Sequence, residues 1–339
     1  MATHAGPAPW RTSRFTTVQL VAAIGLLGPV SAFWLRDAHG FAHERAAVPP
    51  AYPLNLVGQL RNGCTAFLVG PCHVATVAHC VYDPSRGIWW PGLEFSAGRN
   101  GPSAWDPFGR VSWRATEVPD GWKRSGGGDE AYDFALVVLT EPLGRRLGWM
   151  RLPGPAAAGG GAGGADGRGA AERVTEGAAG ACSGAALEAL AAASPWVPVG
   201  VAGYPDDRDN GTLWSQACSL RMGGAVEAVG GAAAGADGGG GPGGEKQEPW
   251  PRPQLLRHGC ATRGGNSGSP LWLQQKEDEP GGGRGGAPCA LAMHVAGRTR
   301  STYDTAGRRT HSSSYGLAVS LAGAAGDWLR EMVARHGGC

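Results

Sequence analysis

Ser267 lies in the stretch CATRGGNSGSPLW (260–272), with Gly264, Gly265 and Asn266 before it and Gly268 after it. A serine hydroxyl is a poor nucleophile at neutral pH. It needs a base to take its proton, usually a histidine held by a buried carboxylate. Among nine histidines, His79 in HVATVAHCV ends an apolar strand just before Cys80, where a disulfide could hold the strand end rigid. In AYDFALVVLTEP, Asp133 stands at the mouth of a continuous apolar run. A charge there is either a solvated strand cap or a buried acid whose desolvation must be offset by a partner. Each residue also has a plainer reading. In a chain with 59 glycines the serine cluster could merely turn a corner, and a histidine beside a strand is more often structural.

The elements that must position these residues are short and β-like. YPLNLVGQLRNGCTAFLVGPCHVATVAHCVYD reads as apolar runs broken by the hairpin signals Asn-Gly and Gly-Pro. Further strands are predicted at 93–97, 110–118, 134–139, 197–202, 213–220, 271–273, 291–296 and 315–319. Helical periodicity is confined to the end, where Leu317, Leu321, Trp328, Leu329, Met332 and Val333 form a broken apolar stripe. Ala185–Ala193 could make a helical turn of no functional weight. Many short strands and one terminal helix imply an all-β barrel or sandwich.

The order His79, Asp133, Ser267 is that of the chymotrypsin-like serine proteases, and the three stretches resemble that family's motifs. An α/β-hydrolase would run Ser, Asp, His and needs a glycine two residues after its serine, where this chain has Ser269. TRGGNSGSP, with ATVAHC and DFALV, is most similar to the secreted V8-like, glutamyl-endopeptidase branch. The resemblance runs from about Tyr52 to about Leu329. It implies two six-stranded antiparallel β-barrels, a C-terminal helix, and an endopeptidase acting through an acyl-enzyme. Ser267 would be the nucleophile, His79 the base and Asp133 its orienting acid. The backbone N–H groups of Gly265 and Ser267 would form the oxyanion hole.

The resemblance implies a primary pocket whose base falls at Ala261 and Thr262, with a wall at Leu291–Gly297. No aspartate occupies its base, which argues against a Lys or Arg preference. His294 stands where glutamate-specific relatives carry a histidine and, with Thr262, implies binding of an acidic side chain; the plainer reading is a core histidine. The family's disulfides fall at Cys64–Cys80 and Cys218–Cys260; Cys72, Cys182, Cys289 and Cys339 stay unassigned, with Cys339 either free or intermolecular. Two features depart from trypsin: no Ile/Val-Val-Gly-Gly start precedes Tyr52, and Asn266 replaces the acid that would pair with a new α-amino group.

The bulk properties set the frame. The 339 residues suffice for a substantial core, and a net charge of +2 gives no case for nucleic acid. Residues 1–32 read as a signal peptide or signal anchor, with Arg11 and Arg14 before an uncharged stretch and a small-residue site at Val30-Ser31-Ala32. A leader or propeptide follows at 33–51, then a protease domain at 52–335 with low-complexity insertions at 154–193, 223–250 and 277–287. The expectation is a secreted protein, or one tethered to a membrane if the first segment stays. Eight cysteines fit disulfides outside the cytosol. No zinc-type spacing appears, so neither metal nor cofactor is expected, and the partner is a peptide or protein substrate. Arg298, Arg300, Arg308 and Arg309 read as a solvated hairpin. The competing function is a silent protease homologue serving as a binding or scaffolding module.

Overall fold

The computed structural model describes residues 44–48, 50–101, 105–154, 182–222, 250–273, 287–303 and 309–339. The signal segment and most of the low-complexity insertions lie outside the described residues, as do 33–43 and 49 of the leader region and Arg308. Among the described residues no helix is long and apolar enough to cross a membrane.

Two seven-stranded antiparallel sheets, the first curled into an open barrel, make up most of the fold, and Tyr82–Asp83 pairs with Ile88–Trp89 in a third, two-stranded sheet. The first runs in the order Arg110–Val111, Phe95–Ala97, Val57–Leu60, Thr65–Gly70, His73–Thr76, Ala135–Leu139, Trp113–Glu117. Its two outer strands are consecutive in the chain and meet at Ser112, so the curl begins and ends on one kinked segment. Sequence reading took 110–118 as a single strand. The hairpin signals lie where the chain reverses: Gly63 adopts φ 101° after Asn62, whose Oδ1 accepts from the Cys64 amide at 3.3 Å, and Gly70 pairs with His73 across Pro71.

The second sheet closes on itself. Trp196–Gly203, Trp214–Arg221, Leu255–His258, Arg309–Ser320, Ala290–Tyr303 and Pro270–Leu273 pair in a ring, and Glu44–Arg45 adds to its outside against Trp214 and Ser215. Leu255–His258, which closes the ring, escaped sequence reading because its four residues follow the proline-rich WPRP and show no alternation.

Burial explains the continuous apolar runs. All five residues of Ala135–Leu139 and all six of Thr65–Gly70 are buried. Such strands bury both faces, and each large aliphatic side chain contributes about 1.5–3 kcal/mol. One cover is the terminal helix Ala324–His336, which buries Trp328, Leu329 and Met332 and sets Trp328 edge-on to Phe134, with ring centroids 5.3 Å apart. The predicted stripe started too early: Leu317 belongs to strand Arg309–Ser320, and a turn through Gly323, at φ 97°, separates it from the helix. Cys339 bonds Cys72 and so fixes the chain end to the first barrel. The alanine-rich tract also does more than expected. Gly184–Ala193 is a helix capped by Ser183, Leu187 is buried, and Cys182 bonds Cys289.

Candidate active site

The strand leading to His79 ends at Thr76, and the histidine sits on a single 3₁₀ turn, Ala78–Cys80. Cys80 bonds Cys64, which locks this turn to the start of strand Thr65–Gly70. Asp133 follows another 3₁₀ turn, Glu130–Tyr132, capped by Asp129, whose side chain accepts from the Ala131 amide at 3.1 Å. The two turns face each other. His79 Nδ1 lies 2.7 Å from Asp133 Oδ2, and the His79 main-chain N–H donates to Asp133 Oδ1 at 2.9 Å. Asp133 is 4% exposed at the side chain while the His79 imidazole is 40% exposed, so the acid is sheltered and the base faces outward. Burial opposes a charge on His79, but the Asp133 charge and hydrogen bond, with Glu130 adding to them, outweigh it. The net effect raises the histidine above its ordinary value.

Ser267 lies on the loop between Cys260 and strand Pro270–Leu273. That loop is held by the first barrel: the Thr65 amide donates to the Ser267 carbonyl at 2.9 Å, and the Thr65 hydroxyl donates to the Gly265 carbonyl at 2.7 Å. Thr76, three residues before His79, donates its hydroxyl to the Thr65 carbonyl at 2.8 Å. Gly265 has φ 81°, and a Cβ there would strike the Tyr204 carbonyl, so only glycine fits. Among the described residues, the amides of Gly265 and Ser267 donate to no protein acceptor. The loop is tied at its other end by the bond between Cys260 and Cys218.

His294 is buried on strand Ala290–Tyr303, and its backbone is bonded to the residues after Ser267: its carbonyl accepts from Gly268 and its amide donates to Ser269, both at 2.9 Å. Its ring partner is His258, a residue that sequence reading passed over, with His258 Nε2 2.9 Å from His294 Nδ1. The Cys260 amide donates to His258 Nδ1 at 3.3 Å. Since that nitrogen accepts, the network places the His258 proton on Nε2, makes His294 Nδ1 an acceptor, and leaves the His294 proton on Nε2. Burial pushes His258 down to about 4 and His294 well below the usual range, with His258 and His79 pushing His294 the same way. Both rings are neutral near pH 7. Thr262 lines a shallow cleft with Ala261, Asn266, Gln216, Trp214 and Gly203, and no hydrogen bond among the described residues joins it to His294.

The only sequence clue to His258 was its place two residues before Cys260, in RHGC. Among the described residues no group of three or more His, Cys, Asp or Glu side chains could hold a metal ion.

No family model matches the chain. It is similar to the glutamyl endopeptidase of Bacillus licheniformis, 25% identical over 250 residues, covering 73% of this chain and 56% of the relative. In structure it resembles a Glu endopeptidase solved in complex with MPD, with a TM-score of 0.51, 16% identity, and coverage of 86% of this chain and 95% of that one. The chain is similar to the V8-like branch of the chymotrypsin-like serine proteases. It is also similar to the inactive serine protease 35 of Rattus norvegicus, 25% identical over 148 residues, covering 30% of this chain and 36% of the relative. It thus spans about half the length of the glutamyl endopeptidase, and about a third of the inactive protein.

Proposed function

We propose that the protein is an exported serine endopeptidase that hydrolyses peptide bonds after acidic residues through an acyl-enzyme. The observation that carries this reading is the His79–Asp133 couple, with the imidazole turned outward, together with a serine loop whose amides at 265 and 267 meet no protein acceptor among the described residues.

In this reading Asp133 accepts from His79 Nδ1–H and so leaves Nε2 unprotonated, ready to take the Ser267 proton as Oγ attacks the scissile carbonyl. The carbonyl oxygen gains charge and is received by the Gly265 and Ser267 amides. A donor of this kind is worth about 10²–10³ in turnover. The imidazolium then returns its proton to the leaving amine, and the acyl group stays on Ser267 until water, deprotonated by the same nitrogen, releases it. His258 and His294 support the acidic preference. The tautomer assigned above makes His294 Nε2 a neutral donor, which can bond a carboxylate without an isolated buried cation. The name of the Bacillus relative points the same way. The four disulfides support export to an oxidising compartment.

A silent homologue is the second reading, favoured by the likeness to a protein named inactive. Against it, all three positions carry the side chains the chemistry requires. Chromogenic peptides with Glu, Gln or Lys before the scissile bond, assayed beside Ser267→Ala, test the proposal. Cleavage restricted to the Glu substrate and absent from the variant supports it. Equal cleavage of Glu and Lys substrates would sink the acidic preference, and no cleavage by either protein would favour the silent reading.

A further inference from the structure

Two ion pairs cross from the turn that carries Asp133 to the second barrel. Arg252 grips Asp129 with Nη2 at 2.7 Å and Nε at 3.0 Å, and Arg298 Nη2 bonds Glu130 Oε1. The second pair stands in a special place. Glu130 opens the 3₁₀ turn that ends at Asp133, and its charge acts on His79. Arg298 lies four residues beyond His294 on strand Ala290–Tyr303. One edge of that strand is paired along its length with Arg309–Ser320, whereas the other pairs with Pro270–Leu273 only as far as Met293. Beyond His294, whose backbone still bonds Gly268 and Ser269, this edge is free among the described residues, and the space beside Gly297 is open, as an extended peptide adding to the sheet would require. Arg298 was expected to be a solvated hairpin residue. It does stand on a hairpin, with its side chain 39% exposed, but it is also paired with Glu130, whose side chain is 27% exposed.

We propose that Glu130 and Arg298 are positioning residues: their ion pair pins the acid-bearing turn to the strand that receives substrate, and the balance of their charges sets the field at the His79 ring. This rests on the serine protease reading. Among the described residues, three groups act on His79. Asp133 bonds it, Glu130 stands behind Asp133 on the same turn, and from the second barrel the neutral His294 approaches, with Arg298 acting through Glu130. A pair this exposed is screened, so its effect is a few tenths of a pH unit and fades in salt.

The test is the pH profile of kcat/KM for the full protein, for Glu130→Gln, for Arg298→Gln and for the double variant, in low and high salt. Glu130→Gln should move the acid limb to lower pH and Arg298→Gln to higher pH. The double variant should return near the parent, and all shifts should shrink in high salt. NMR titration of the His79 ring in the same variants should show the same opposite shifts and requires no turnover. Rates that fall with unmoved limbs, or limbs that move together in one direction, would overturn the charge balance. A parent no more active than Ser267→Ala would refute the protease reading, with the ring titration still deciding the clamp.

Discussion

The main-chain amide of Thr65 donates to the carbonyl of Ser267 at 2.9 Å, while its hydroxyl donates to Gly265 at 2.7 Å and accepts from the Tyr204 amide at 3.2 Å. One fully buried residue of the first barrel thus holds the serine loop of the second on both sides of Asn266. The catalytic reading requires this join, because His79 and Ser267 belong to different sheets and only contacts across them can fix their spacing.

Replacing Thr65 by Val keeps the shape and removes the hydroxyl. A half-buried carbonyl and a buried amide lose their partner, which should cost about 1–3 kcal/mol. Thermal unfolding should show a lowered midpoint, and kcat should fall together with it. Thr65→Ser should recover most of both, and a Val variant as stable and active as the parent would show that the join is unimportant.

The base must be unprotonated to act, and His79 holds its proton above the ordinary histidine value because Asp133 and Glu130 outweigh burial. Activity should therefore rise with pH through a midpoint above about 6.5. Asp133→Asn removes the acceptor that fixes the tautomer and should lower kcat about 10⁴-fold. A midpoint below 6 in the parent would contradict the electrostatics described for this site.

His258 should matter to substrate choice while touching none of the reacting atoms. His258→Leu deprives His294 Nδ1 of its donor and frees the other tautomer, in which Nε2 can no longer donate. The ratio of Glu to Gln cleavage should drop tenfold or more. Labelling of Ser267 by a small organophosphorus probe should change little. Loss of labelling in step with the ratio would mean that His258 holds up the barrel and does not tune the pocket.

Acid should loosen the fold before the carboxylates titrate. Burial lowers His73 and His258 to about 4 and pushes His294 well down too, so below the unfolded value near 6.5 the unfolded chain takes up protons that the folded one refuses. Stability from these three is complete above that value and is lost as pH falls toward 4. His79, raised when folded, works in the opposite sense but is a single group. The urea midpoint should decline from pH 7 to pH 5, and a flat profile would argue against neutral buried rings.

The sequence carried the barrel strands because their apolar runs are long, buried and bounded by Asn-Gly and Gly-Pro. It also carried His79, Asp133 and Ser267 as motifs, since each lies beside a local signal such as Cys80, a continuous strand or a glycine pair. The contacts that join distant segments were hidden. Thr65 is an ordinary strand residue until Gly265, two hundred positions away, is brought beside it. His258 showed no periodicity in a four-residue strand, and Arg298 looked solvated because its partner Glu130 comes 168 residues earlier. Cys72 and Cys339 could not be paired from spacing, since only the docking of the terminal helix brings them together.

The central claim is that Ser267 is an activated nucleophile. It is tested most directly by treating the exported protein with a fluorophosphonate probe beside Ser267→Ala and His79→Ala. Labelling of the parent at Ser267, absent from the first variant and strongly slowed in the second, is the expected result. A folded, fully processed parent that takes no label, or takes it equally in Ser267→Ala, would contradict the claim and leave Ser267 a residue of the loop.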